Sequence, residues 1–211
     1  MFLLPQLPLF LSLSLFAIHS LGAQHNCFEE SPQDFILQTQ RIFIPDHPHA
    51  FNPSIVRWKG HLLMCFREIT ENDDIILPKI HCSAESRIGL MFLDEEFTPV
   101  GNAQILDLNG QDSPGRADDA RLIIVGDKLY LVYSDNVDIY VTDGGYRVHI
   151  AELNFDENGF IIQFKERMSQ FQDECPDRRE KNWVPFDYAG NLLLAYSLSP
   201  HKILYPLLGL E

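Results

Sequence analysis

Three segments of this chain repeat one pattern of residues. They span 52–67, 119–134 and 182–197, so successive segments begin 67 and 63 residues apart. Each is a short apolar run, a turn that contains glycine, and a second apolar run that includes an aromatic residue near its end. A period of this length is typical of blade-type repeats. The repeat therefore predicts an array of similar sheets.

The runs between the turns have the composition of β-strands. They are short, rich in Val, Ile, Leu, Tyr and Phe, and bounded by Gly, Asn and Asp. Further strands are predicted over 88–93 with 98–106, and over 148–155 with 160–165. Each unit then holds about four strands, which is the content of a β-propeller blade. A twisted β-sandwich, which is also built from short strands with frequent turns, is the alternative.

The repeat does not fill a complete ring. Residues 46–211 hold about two and a half four-stranded units, whereas a propeller closes with at least about four blades. We therefore expect an all-β, partial five-bladed propeller that is truncated at its C-terminus. Such an array leaves sheet edges and apolar faces uncovered, so we expect it to fold poorly alone.

The N-terminus is predicted to be a targeting segment. Residues 1–23 carry no charged side chain, and 7–18 form a dense apolar run followed by small residues. We interpret 1–22 as a signal peptide and 23–45 as an N-terminal extension, which predicts a secreted or extracytoplasmic protein. The alternative is a membrane anchor formed by residues 1–23, and only then would the protein contact a membrane.

Four cysteines bear on the compartment and on metal binding. They lack the paired spacing of a zinc site, and no metal is implied. An oxidising compartment would allow up to two disulfides in three pairings. Cys65 lies in an apolar strand and is predicted to be a buried small hydrophobic residue. The four are Cys27, Cys65, Cys82 and Cys175.

The net charge of −14 arises from 30 acidic and 16 basic residues. It disfavours nucleic acid and anionic membranes as general partners. Several basic residues nevertheless fall near the ends of the repeated strands, among them Arg67, Arg116, Arg121 and Lys181. Positive charge in an acidic surround indicates an anionic or polyhydroxyl ligand. For any one of these residues taken alone, a solvated surface charge or an ion pair is the favoured interpretation.

The polar motifs that open the repeats resemble a known enzyme family. They are Asn52 to Val56 with Phe66-Arg67, then Asp118 to Arg121 with Tyr130 to Tyr133, then Glu180 to Trp183. In this order they look like the blade motifs of glycoside hydrolase family 130, the β-mannoside phosphorylases and hydrolases, whose propeller relatives include mannosyltransferases. The resemblance runs from about residue 52 to residue 201, the N-terminal half of such a five-bladed domain.

The resemblance implies inverting cleavage or formation of a β-mannosyl-type glycosidic bond. It makes Asp119 the general acid, which in that family is thought to act through a sugar hydroxyl. It implies that Arg67 and Lys181 bind an inorganic phosphate co-substrate and that Asn52 binds the sugar. It also implies that Arg121 fixes the geometry of Asp119. No other cofactor and no specific protein partner are implied.

Two further residues are candidates for binding substrate, and several alternatives stay open. Asn182 belongs to the third motif, and His201 follows the third hairpin, where it can bind sugar or simply cap a loop. The family's proline after the acid is Ala120 here, so the loop or the donor chemistry can differ. Trp183 is a candidate for stacking on a sugar, whereas Trp58 is predicted to be buried between sheets.

Three other functional hypotheses remain. The arabinanase and fructosidase type of propeller requires an aspartate where this chain has Asn52. A non-catalytic glycan-binding propeller would use the same pocket without Asp119 as an acid. An inactive truncated fragment is the third.

Overall fold

The structure, a computed structural model, describes residues 39–70, 85–108, 117–135, 146–168 and 180–208. These residues form β-strands and turns, and none of them is helical. Within these ranges, then, no helix is long and apolar enough to cross a membrane. The predicted signal peptide or anchor, at 1–22, lies outside them.

The described residues form eleven strands in three antiparallel sheets, all within one compact unit, Arg41–Glu211. The first sheet has the order β1 (Phe51–Trp58), β2 (His61–Thr70), β3 (Glu85–Leu93) and β4 (Pro99–Ile105). The second has the order β5 (Ala117–Val125), β6 (Lys128–Asp135), β7 (Arg147–Asp156) and β8 (Gly159–Arg167). The third has the order β9 (Val184–Tyr188), β10 (Asn191–Leu198) and β11 (His201–Leu204).

Within each sheet, strands that are consecutive in the sequence pair with each other. The predicted all-β class, the three repeated hairpins and the four-strand content of the first two units are confirmed. The strand β11 was missed, because only four residues form it and the proline at position 200 precedes it. His201 is therefore the first residue of a strand, opposite Leu198, and not a residue of a loop.

The three repeated hairpins turn through backbone conformations that favour glycine. In the first, Lys59 and Gly60 have φ of 48° and 85°, and in the third Ala189 and Gly190 have φ of 51° and 79°. Two central residues with positive φ match the right-handed twist of the flanking strands, which is why such turns suit two-residue hairpins. The glycine in each repeat is thus explained by turn geometry.

The residue that opens each repeat is also left-handed. Asn52, Asp119 and Asn182 have φ of 49°, 51° and 59°. At Asn52 and Asp119 the strand register shifts, which marks a β-bulge in β1 and in β5. Asn and Asp tolerate this conformation better than other non-glycine residues. Because a bulge redirects nearby side chains, the first two repeats place an amide and a carboxylate at the same irregular point of their sheets.

The second sheet is buried on both of its faces. One face packs against the first sheet in a cluster that includes Trp58, Leu63, Leu131 and Phe160. The other packs against the third sheet through residues that include Val132. Adjacent sheets also meet through their first strands, since β1 contacts β5 and β5 contacts β9. The burial predicted for Trp58, which is 5% exposed, is confirmed.

The remaining face of the first sheet is covered by the segment that precedes it. Ile44 is buried in a cluster with Met64 and Phe66, and Ile42 packs against the same cluster. These two isoleucines belong to the stretch 23–45, which is predicted to be an N-terminal extension. That part of the extension contributes to the core.

Cys65 lies fully buried between the first two sheets, as predicted, and forms no disulfide. Its Sγ contacts the carbonyl oxygen of Ala120 at 3.4 Å. Burial raises the pKa of this thiol to about 12. Cys27, Cys82 and Cys175 lie outside the described residues.

Candidate functional site

Side chains from the starts of the first two repeats meet directly. The Nδ2 of Asn52 donates to Oδ1 of Asp119 at 2.6 Å, between residues at equivalent positions of the repeat. Arg67, near the end of β2, donates from Nη1 to the same oxygen at 3.3 Å. Adjacent sheets bring these residues together because their first strands pack side by side.

Asp118 links all three sheets. Its Oδ1 lies 2.7 Å from Nη2 of Arg67, which belongs to the first sheet. Its Oδ2 accepts a hydrogen bond from Nζ of Lys181 at 3.0 Å, just ahead of the third sheet. The residue is 4% exposed. A buried carboxylate needs such charge-assisted partners, because taking it out of water unpaired is costly.

Ser86 completes the bonding around Asp118. Its Oγ accepts from Nε of Arg67 at 2.8 Å. The same oxygen lies 2.7 Å from the carbonyl oxygen of Ala117 and 2.9 Å from Oδ1 of Asp118, so its one hydrogen can serve either acceptor. Arg67 is thereby held at three of its nitrogens, and its guanidinium orientation is fixed.

Lys181 combines an ion pair with an aromatic contact. Its Nζ lies 3.6 Å from the centroid of the Tyr146 ring, in addition to its bond with Asp118. Its side chain is 30% exposed, compared with 17% for Arg67. The ammonium therefore sits at the outer side of the network, where a ligand can reach it.

Asp119 differs from Asp118 in its surroundings. Both of its donors, Asn52 and Arg67, bond to Oδ1. Within the described part of the chain, Oδ2 of Asp119 has no hydrogen-bond partner, and the side chain is 22% exposed. One oxygen is thus held by the protein while the other is available to a ligand.

Arg121 follows Asp119 in the sequence but does not hold it. The hydrogen bonds to Asp119 come from Asn52 and Arg67, while Nε of Arg121 is buried and has no partner among the described residues. Arg121 stands opposite Val132, on the face of the second sheet that packs against the third. A half-buried cation of this kind can bind an anion.

The other predicted site residues lie near this network without joining its bonds. Asn182 is exposed and left-handed, next to Lys181. His201 is exposed at the same end of the third sheet, two strands away from β9. Trp183 is only 2% exposed, and its Nε1 donates to Oε2 of Glu180 at 3.1 Å. Its ring is buried in the core and is not exposed for stacking on a sugar.

Three residues of the network were not selected from the sequence as site residues. Asp118 was visible only as the first acid of an Asp-Asp pair, and the sequence gives no reason to prefer it as the one that binds both cations. Ser86 and Tyr146 stand at the edge of predicted strands, where polar residues are ordinary. Their roles depend on contacts between sheets, which a single sequence does not specify.

A second polar group lies beside this network, at the ends of β6 and β7. Tyr133 and His149 stand opposite each other, with ring centroids 5.3 Å apart and an interplanar angle of 17°. Neither the hydroxyl of Tyr133 nor Nδ1 of His149 has a hydrogen-bond partner among the described residues. Burial, assisted by the positive charges of Lys165 and Arg167, lowers the pKa of His149 to about 4. Burial also raises the pKa of Tyr133.

The arrangement combines a partly exposed carboxylate, an amide and two oriented cations. Such a set can exchange a proton with a ligand hydroxyl and can hold a polyhydroxyl or anionic group. Among the described residues, no group of three or more His, Cys, Asp and Glu side chains is arranged so that it could hold a metal ion.

Comparison with known proteins gave no match: no family model, no curated protein and no solved structure matches the chain.

Proposed function

We propose that this chain carries the site of a carbohydrate-active β-propeller that cleaves, forms or transfers β-mannosyl-type glycosides with inversion. The observation that carries the proposal is the contact of Asn52, Arg67 and Lys181 with the Asp118–Asp119 pair. The resemblance to glycoside hydrolase family 130 assigns a sugar, an anion and a proton donor to these positions. Here Asn52 and Arg67 bond to Asp119, and Lys181 bonds to the adjacent Asp118.

The propeller part of the proposal is supported by the packing of the second sheet. A two-layer sandwich buries one face of each sheet, whereas propeller blades are packed on both faces. The second sheet is packed on both. Each sheet also begins with the strand that contacts the neighbouring sheet, as expected of units placed around a common axis.

In the proposed reaction Asp119 is the general acid. Its proton passes, directly or through a sugar hydroxyl, to the oxygen that leaves the anomeric carbon. A nucleophile attacks the opposite face of the sugar, so that the new bond has the inverted configuration. Oδ2 is the oxygen that would carry and donate this proton, because Oδ1 already accepts hydrogen bonds from Asn52 and Arg67.

The cations suit an anionic co-substrate such as inorganic phosphate. Lys181 is the more exposed of the two cations bound to Asp118. Arg121 adds a buried Nε that lacks a partner among the described residues. Phosphate would supply acceptors for such donors and would serve as the nucleophile, so a second catalytic carboxylate is unnecessary. Water or an activated sugar would make the same site a hydrolase or a transferase.

The proposal is tested by incubating the protein with mannose 1-phosphate and acceptor sugars and measuring released phosphate, and with aryl β-mannosides and measuring the released phenol. We expect turnover in one of these assays and its loss in Asp119→Asn, with sugar binding retained. The matched control is Asp127→Asn, an exposed aspartate in the turn of the same hairpin. Equal turnover by Asp119→Asn and the unmodified protein would refute Asp119 as the acid.

A non-catalytic glycan-binding protein is the second candidate. This candidate is favoured because Arg67 and Lys181 already bond to the carboxylate of Asp118, so their positive charges are balanced within the protein itself. In that case ligand-detected NMR would show sugar binding to both the unmodified protein and Asp119→Asn, and no substrate would be consumed by either.

A further inference from the structure

Phe51 places an exposed aromatic ring beside the aspartate pair. It is the first residue of β1 and is 37% exposed. The guanidinium carbon of Arg67 lies 5.2 Å from the centroid of its ring. An exposed apolar side chain is ordinary in itself. The position of this one is informative, because the arginine that it contacts is bonded to both Asp118 and Asp119.

The bulge at the start of β1 allows two consecutive side chains to reach the same group. Successive residues of a regular strand point to opposite faces of the sheet. Here the register shifts between Phe51 and Ser54, and Asn52 between them is left-handed. The ring of Phe51 lies against Arg67. The amide of the next residue bonds to Asp119, which Arg67 also contacts, so the ring and the amide belong to one site.

Arg67 holds the ring from one side. The orientation of its guanidinium is fixed by bonds to Ser86, Asp118 and Asp119. A guanidinium placed over an aromatic ring is attracted to the electron-rich face of that ring. The contact therefore orients the ring of Phe51 through one of its faces, while the exposed part of the residue remains accessible to a ligand.

Two other aromatic residues near the site are less suited to contact with a sugar. Trp183 is buried. Tyr146 is half-buried, and Nζ of Lys181 lies 3.6 Å from the centroid of its ring. Lys181 is the cation proposed to bind phosphate, so the ring of Tyr146 lies on the anion side of the site. Phe51 instead adjoins Asn52, the residue proposed to bind the sugar.

We propose that Phe51 binds the sugar by packing against one face of the mannosyl ring, and that it thereby favours β-mannosides over α-mannosides. The inference rests on the proposed function, because it adds a contact to the same site. In the chair form of a β-mannoside, the anomeric C–H bond and the other axial C–H bonds point from one face of the ring, and the axial hydroxyl lies on the other. Such a C–H face packs well on an aromatic ring. In an α-mannoside the aglycone is axial on that same face, where it would collide with the ring of Phe51.

The test is a ligand-observed NMR titration of the protein with methyl β-mannoside and with methyl α-mannoside. We expect the unmodified protein to bind the β-anomer more tightly. Phe51→Leu should weaken binding of the β-anomer by about two- to tenfold, the range expected for one aromatic contact, and should weaken binding of the α-anomer less. Phe51→Tyr keeps the ring, so it should keep both the affinity and the preference for the β-anomer.

The matched control is Phe155→Leu, at a phenylalanine of similar exposure, 41%, near the turn that joins β7 to β8. It should leave both affinities unchanged. Circular dichroism establishes that each variant is folded. A loss in this control equal to that of Phe51→Leu would overturn the inference, because the effect would then not depend on contact with the sugar.

Other outcomes separate the failure of this inference from that of the proposed function. If the β-anomer binds and Phe51→Leu keeps its affinity and preference, the ring does not contact the sugar, and the proposed function stands without it. If Phe51→Leu weakens both anomers equally, the ring acts only by holding Arg67, and the inference is wrong. If the unmodified protein neither binds nor turns over a mannoside, the inference and the proposed function fail together.

Discussion

Protonation of His149 should make the stability of this protein fall between pH 6.5 and about pH 4. The ring lies buried against Tyr133, and Lys165 and Arg167 add to the cost of a positive charge there. The folded state therefore binds the proton more weakly than the unfolded state does. As the pH falls below the ordinary histidine value of 6.5, the unfolded chain gains a proton that the folded chain excludes until about pH 4.

The size of the effect follows from the lowered pKa. Each pKa unit corresponds to about 1.4 kcal/mol. The free energy of unfolding should therefore fall by about 3 kcal/mol on acidification to pH 4, of which about 2 kcal/mol is lost by pH 5. His149 is 6% exposed, so solvent does little to reduce this figure. It is a large part of the stability of an ordinary domain.

The assay compares the unmodified protein with His149→Phe in urea unfolding at pH 7.5 and pH 5. Phenylalanine keeps a ring against Tyr133 and cannot bind a proton, so the variant should lose about 2 kcal/mol less on acidification. Carboxylates that titrate in both proteins cancel in this difference. The matched control is His61→Phe at an exposed histidine of the first hairpin. Equal losses in the unmodified protein and His149→Phe would refute the reasoning.

Three further predictions concern the packing between strands and sheets. Gly89→Ala should destabilise the protein by about 1–3 kcal/mol in urea unfolding, because the new Cβ would lie 2.2 Å from the buried ring of Phe66; an unchanged midpoint would contradict the close approach. Ser54→Ala should cost about 1–2 kcal/mol, since the amide of Leu122 donates to its Oγ at 3.0 Å, and Ser54→Thr should recover part of the loss. Cys65 should resist alkylation at pH 8 and react only as the chain unfolds, because burial raises its pKa to about 12; rapid labelling of the native protein at Cys65 would show that it is accessible.

The sequence predicts the strands well because the signals that specify them are local. Apolar runs bounded by glycine and aspartate turns predict β3 at 88–93 and β7 at 148–155, where the strands span Glu85–Leu93 and Arg147–Asp156. Strand ends differ by a few residues because pairing with a neighbour extends a strand past its apolar part. The four-residue β11 lacks such a signal and depends on its pairing with β10.

The site is only partly predictable from the sequence, because its bonds join residues of different sheets. The repeat indicates that Asn52 and Asp119 occupy equivalent positions, and their hydrogen bond is consistent with that. It does not indicate that Arg67 bonds to both Asp118 and Asp119 while Arg121 bonds to neither. A bulge changes the direction of neighbouring side chains, so adjacent residues in β5 cannot be told apart by alternation alone.

The same few side chains connect the sheets and supply the proposed chemistry. Only a residue whose substitution leaves the connection between the sheets intact can be used to test function. Asp118 is 4% exposed and bonds to Arg67 and Lys181, so its removal would leave two cations without their shared partner and cost about 3–5 kcal/mol. Loss of activity in an Asp118 variant would therefore say little about catalysis, because the contact between the three sheets would be weakened too. At Asp119, in contrast, the bonds from the described residues go to Oδ1 alone. A substitution there changes the chemistry offered to a ligand while the link between the sheets through Asp118 stays in place.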